Sequence, residues 1–238
     1  MASCSEDNDP FGPNGGQGQT GGRELSFVFP GTAQGVVPYA VTALDAENEL
    51  STLDIYVFGV DSMSGTTPQP MVLEEIFRSG QGYTLTTSGS DKTAKISVPS
   101  GNNKAFFFVA NAREHLSLDS VELHVTDTAT FKTKMSNTLK GHITCPMLMS
   151  AQLDMPDVAT TLAGAATSGV KVELTRRVAR FDIKNNSETS NFVISKVAMA
   201  DVPGNVPLFP QDSYVAPIVA DMPLIDFSAM KNSNAGVT

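Results

Sequence analysis

Val170-Lys-Val-Glu-Leu-Thr-Arg-Arg-Val-Ala-Arg-Phe-Asp-Ile-Lys184 is the stretch whose reading governs the rest of the chain. Its first half alternates, with Val170, Val172 and Leu174 on one side and Lys171, Glu173 and Thr175 on the other. That is the period of a half-buried strand. After Leu174 the parity slips, because the next apolar residues are Ala179, Phe181 and Ile183. One strand cannot keep both sets on one face, since a shift of one residue turns every side chain over. The stretch therefore predicts a bulge or bend at Thr175 to Val178, or a crossing from one β-sandwich into another. Arg176 and Arg177 sit at the bend, and Arg180 lies on the next polar face. An ordinary bulged strand with solvated arginines satisfies the same spacing. The flanking sequence favours a seam between two β-domains.

Upstream, Glu24 to Pro30 alternates with Leu25, Phe27 and Phe29 on one side and reads as the first strand, ended by Pro30-Gly31. Leu50 to Val60 is apolar on both faces, as in a covered strand. Met71 to Arg78 lacks a clean period and reads as either a strand or a helical turn. Tyr83 to Thr87 and Lys95 to Val98 read as a hairpin. Lys104 to Asn111 is the most hydrophobic strand and the expected centre of its sheet. Leu116 to Leu123 predicts a short helix with Ser117 as N-cap, Thr126 to Thr144 a loop, and Met147 to Leu153 another strand. Thr160 to Ser168 is a loop of small residues.

Past Asn185-Asn186, Asn191 to Ala200 reads as a strand, and prolines at 203, 207, 210, 217 and 223 punctuate the remainder of the chain. A segment of this length is marginal as an independent sandwich. It is either part of a second domain or a tail that packs on the first. The expected organisation is a flexible tail over 1–22, a β-sandwich over 23–185 and the start of a further β-domain over 186–238. The fold class is all-β with minor helix.

The 238 residues carry 25 acidic against 16 basic side chains, a formal charge of −9. An acidic chain without a basic run is a poor phosphate-backbone binder, so nucleic acid is not an expected partner. The longest unbroken apolar run, Ala105 to Ala110, is far short of a membrane span. Cys4 and Cys145 have no C-x-x-C neighbour and carry no redox or zinc signature.

No catalytic constellation emerges, and neither enzymatic activity, a metal nor a cofactor is expected. His115, His124 and His142 are widely spaced, and His142 with Cys145 supplies only two potential ligands. Glu74-Glu75 reads as a solvated charged pair rather than an acid/base couple. The glycines between 12 and 22 lie in a Gly/Pro/Gln/Asn tract without the βαβ context of a phosphate loop.

Four features in order carry a family resemblance. They are small residues before Cys4 with Ser5-Glu-Asp-Asn-Asp9 after it, Leu53-Asp-Ile-Tyr-Val-Phe58, Phe106-Phe-Phe-Val-Ala-Asn111, and Leu174-Thr-Arg-Arg-Val-Ala-Arg-Phe-Asp182. The chain resembles the fimbrillins of Bacteroidales, subunits of the type V pilus, over roughly 24–209. The resemblance implies a transthyretin-like N-terminal sandwich joined to a second β-domain, here partial or truncated, with Arg176, Arg177, Ala179, Arg180 and Phe181 near the junction. It implies Cys4 as the lipidated residue of an outer-membrane lipoprotein clipped close to its processing site.

The implied mechanism is β-strand donation. Proteolysis frees the first strand, and a neighbouring subunit fills the groove that Leu25, Phe27 and Phe29 occupy. The same three side chains also suit an edge strand that stays in place. Residues 30–50 contain no arginine or lysine. Arg23, the candidate processing residue, lies before the strand, so the sequence departs from the family pattern there. The implied partners are other fimbrial subunits, the outer membrane through the lipid, and a host or bacterial surface ligand. The alternative reading is a monomeric surface lipoprotein that binds a glycan or protein. An absence of tryptophan and only four tyrosines weigh against aromatic glycan platforms.

Overall fold

A computed structural model describes residues 23–31, 45–60, 70–98, 101, 103–112, 121–134, 145–158, 169–177, 196–199, 202–203, 207–209, 218–219 and 222–226. The chain is mainly β, as its alternating stretches predict. Ten strands build two sheets. β1 (Arg23–Phe29), β5 (Leu85–Ser88), β6 (Asp91–Val98) and β9 (Val170–Lys171) form a four-stranded sheet in the order β5-β6-β1-β9. β2 (Leu53–Val60), β3 (Met71–Ser79), β4 (Gly82–Tyr83), β7 (Lys104–Ala110), β8 (Met149–Met155) and β10 (Thr175–Arg176) form a six-stranded sheet in the order β10-β8-β7-β2-β3-β4. The short helices α1 (Asp45–Asn48) and α2 (Thr128–Lys132) lie between strands.

The sheets share one core. Leu25, Phe27 and Phe29 of β1 and Ala94, Ile96 and Val98 of β6 meet residues of the larger sheet that include Ile55, Val57, Phe106 and Phe108. Each strand turns alternate residues to the opposite face. Tyr56, Phe58, Phe107 and Val109 therefore form a second, outer apolar layer, which Phe131 of α2 covers. Being covered on both faces is why β2 and β7 read as continuous apolar runs.

The aperiodic Met71–Ser79 stretch is a strand with a bulge. Val57 pairs with Glu75 but Phe58 pairs with Leu73, so Glu74 is the extra residue. The insertion inverts parity: Phe77 packs in the inter-sheet core and Leu73 in the outer layer.

Several expectations need correcting. The hairpin is formed by β5 and β6, whereas Tyr83 belongs to β4, which pairs in parallel with β3 in the other sheet. Part of the stretch read as a loop from Thr126 is helical in α2, where the Asp127 carboxylate accepts from the Thr130 N–H at 2.6 Å and caps the first turn. Leu123 lies in a turn, so no helix runs to it, and Ser117 lies outside the described residues. Farther on, β11 (Lys196–Met199) pairs with β14 (Met222–Asp226), and β12 (Val202–Pro203) with β13 (Ile218–Val219).

Candidate functional site

β1 combines complete main-chain pairing on one side with brief pairing on the other. It runs antiparallel to β6 from Arg23↔Val98 to Phe29↔Lys92. Only Phe27 and Val28 pair with β9, in parallel, and the Val172 N–H donates to the Val28 carbonyl at 2.8 Å. β1 is thus an interior strand, not the edge strand that its sequence equally suited. Its side chains are its main anchor. Phe27 lies 5.1 Å from both Phe106 and Phe108, ring centroid to centroid, and Phe29 lies 5.5 Å from Phe108. Burying each such side chain is worth about 1.5–3 kcal/mol. Without β1, one side of β6 and the apolar face of β7 would lose their cover. Arg23 opens the strand at a half-buried position, and Cys4 lies outside the described residues.

β1 ends where its backbone meets a turn. A Cβ on Gly31 would stand 2.1 Å from the Ser90 carbonyl oxygen, so only glycine fits there. Beyond Phe29 a cavity of about 470 Å³ opens, with Phe29, Leu50, Met149 and Leu174 as its apolar lining and Asn48 and Lys92 among its polar groups. Among the described residues, its lining contains no histidine, cysteine or tyrosine.

The arginine-rich stretch crosses from one sheet to the other. β9 belongs to the four-stranded sheet and β10 to the six-stranded sheet. Val172 and Leu174, on the crossing between them, are buried in the shared core. The sheet change therefore lies at Val172 to Leu174, earlier than the predicted bend at Thr175 to Val178. Up to Arg177 the stretch joins two sheets around one core, and the parity slip toward Ala179 and Phe181 lies outside the described residues. The hydrophobic alternation survives because both sides of the crossing face the same interior. Ala179, Arg180 and Phe181 lie outside the described residues.

The adjacent arginines act on different partners. Arg176 donates to the Asn48 side chain and lies 4.0 Å from Glu47, both in α1. The Arg177 N–H donates to the Leu148 carbonyl at 2.9 Å, and its Nε donates to Ser150 Oγ at 2.7 Å. Burial pushes the Arg177 guanidinium below its usual range. Ser150 Oγ in turn donates to the Leu208 carbonyl, and the Leu208 N–H donates to the Lys134 carbonyl at 3.2 Å. Leu208 and Phe209 are fully buried in the outer layer, with Phe209 4.9 Å from Phe107 and 5.6 Å from Phe131.

Sequence reasoning left open whether the tail packs on the main body; at Leu208-Phe209 it does. The available signal was an apolar pair bracketed by Pro207 and Pro210. Among the described residues, no cluster of three or more His, Cys, Asp or Glu side chains is placed to hold a metal ion. Cys145 is exposed and unpaired with another cysteine, and His124 is exposed in a turn with φ 60°. Comparison with family models, with curated proteins and with solved structures returns no match.

Proposed function

We propose that this chain is a structural subunit of a cell-surface fimbria, anchored through a lipid on Cys4, whose copies join by donating a β-strand into the place of β1. The supporting observation is β1 itself. It is the first described strand, inserts three alternate apolar side chains into the core, and pairs along its whole length with β6. Those are the two contributions of β-augmentation: main-chain hydrogen bonds supply affinity, and alternate side chains supply register. In this reading the N-terminal unit is a β-sandwich, residues 186–238 begin a further β-domain, and the chain performs no catalysis.

The test removes residues 1–31 and measures particle size by light scattering, with and without a synthetic peptide spanning Arg23 to Phe29. Strand donation predicts open-ended oligomers that the peptide caps as monomers, while a peptide carrying Phe27→Asp fails to cap. A truncated chain that stays a stable monomer would instead favour a monomeric surface binding module. Aggregates indifferent to the peptide would also defeat strand donation.

A further inference from the structure

The segment bearing Leu208 and Phe209 is held as a bound peptide would be. Both main-chain polar groups of Leu208 are satisfied by the body: Lys134 accepts from its N–H, and Ser150, itself bonded by Arg177, donates to its carbonyl. Both side chains are fully buried, and Ser150 lies 58 residues away in sequence. Pro207 and Pro210 bracket the pair. Proline restricts its own φ, and Pro210 narrows the conformations open to Phe209, so less conformational freedom is lost on docking. The receptor parts (Lys134, Phe107, Phe131, Ser150 and Arg177) all come from the body.

We propose that this outer-face cradle is a recognition site for the segment bearing Leu208 and Phe209, and that a second copy of this chain supplies the segment when copies are held side by side. Two apolar side chains and two hydrogen bonds give weak affinity between free molecules once the loss of translational freedom is counted. The exchange therefore depends on the high effective concentration that neighbours in an assembly provide. In that respect alone it rests on the subunit reading.

The test uses the full chain carrying Leu208→Ala and Phe209→Ala, isotope-labelled for NMR, and a synthetic peptide spanning 205–212 at millimolar concentration. The peptide is expected to shift the amide signals of Lys134, Ser150 and Arg177 in this emptied variant and to leave the wild-type chain unchanged. Arg177→Ala in the emptied variant should weaken peptide binding about tenfold, as loss of a charged hydrogen-bond partner does. An unlabelled full-length Arg177→Ala chain, whose own segment is loosened, should reproduce the peptide's shifts when added as donor at the same millimolar concentration, which stands in for the effective concentration of neighbours in an assembly.

A folded emptied variant that ignores the peptide overturns the cradle. Shifts from the peptide but none from the donor chain reduce the segment to an intramolecular strap and overturn exchange between copies. If the double variant loses its fold, Phe209→Ala alone carries the same comparison, because losing the ring beside Phe107 and Phe131 weakens the segment's hold enough for millimolar peptide to displace it. The first strand stays in place throughout, whereas the strand-deletion test leaves the cradle intact, so each reading fails separately.

Discussion

A Cβ on Gly59 would stand 2.1 Å from a carboxylate oxygen of Glu74. Glu74 is the bulge residue of β3, and its side chain passes over β2 to reach Lys104 on β7, which pairs directly with Gly59. Lys104 is only 2 % exposed, so the bulge and the glycine together bring a counter-charge to an otherwise buried amine. Gly59→Ala should displace the carboxylate and destabilise the protein by about 2–4 kcal/mol in urea unfolding. In a Glu74→Ala background the same substitution should cost less than about 1 kcal/mol, because the obstructing group is gone. Equal costs in both backgrounds would show that the ion pair is not what requires glycine.

Asn111 fastens the end of β7 to two other segments. Its Oδ1 accepts from the N–H groups of Ser51 and Thr52 at 3.0 and 3.2 Å, and its Nδ2 donates to the carbonyls of Glu49 and Met147 at 2.8 and 2.9 Å. Its φ is 57°, a left-handed conformation that asparagine tolerates and alanine resists. Asn111→Ala should lose about 3 kcal/mol by adding backbone strain to lost hydrogen bonds. Asn111→Gly should lose about 1 kcal/mol less by relieving the strain. Chemical denaturation of the two variants measures that difference, and glycine faring no better would assign the whole cost to the hydrogen bonds.

For the first strand, Phe27→Ala should cost about 3–5 kcal/mol because the ring fills space between Phe106 and Phe108. Ser26, half-buried on the opposite face, should tolerate alanine within about 0.5 kcal/mol. Thermal unfolding distinguishes them. A small Phe27 effect would mean that the core closes without β1, leaving no groove for a donor.

Glu75 supplies a pH test. Burial first, and then the neighbouring Glu74 carboxylate, raise its pKa above the ordinary glutamate value of 4.5. The folded state thus binds this proton more tightly than the unfolded state does. Its contribution to stability is greatest below the unfolded pKa and is lost as pH rises through the folded pKa. Glu75→Gln should therefore stabilise the protein modestly at neutral pH, with the advantage shrinking as pH falls toward 4.5. Melting temperatures across that range would show it, and an advantage independent of pH would point to a cause other than ionisation.

The first strand and central β7 are legible because side-chain alternation and apolar density are local properties. β3 is harder to read because the Glu74 bulge reverses parity partway along, and Leu73 and Phe77 face different layers despite their even spacing. The five-residue α2 is too short to show a helical period. The Arg177–Ser150–Leu208 relay joins residues far apart in sequence, which no local pattern records.

The amino-acid sequence by itself determined the all-β class, the three inward side chains of β1 and the two-faced burial of β2 and β7, since burial dictates hydrophobic periodicity directly. Tertiary structure alone decided that the Val170–Arg177 stretch changes sheets around one core, that Glu74 reaches Lys104 across Gly59, and that Leu208-Phe209 closes the outer layer. Those outcomes depend on which distant segments become neighbours, and periodicity specifies the face that a strand buries without specifying what covers it.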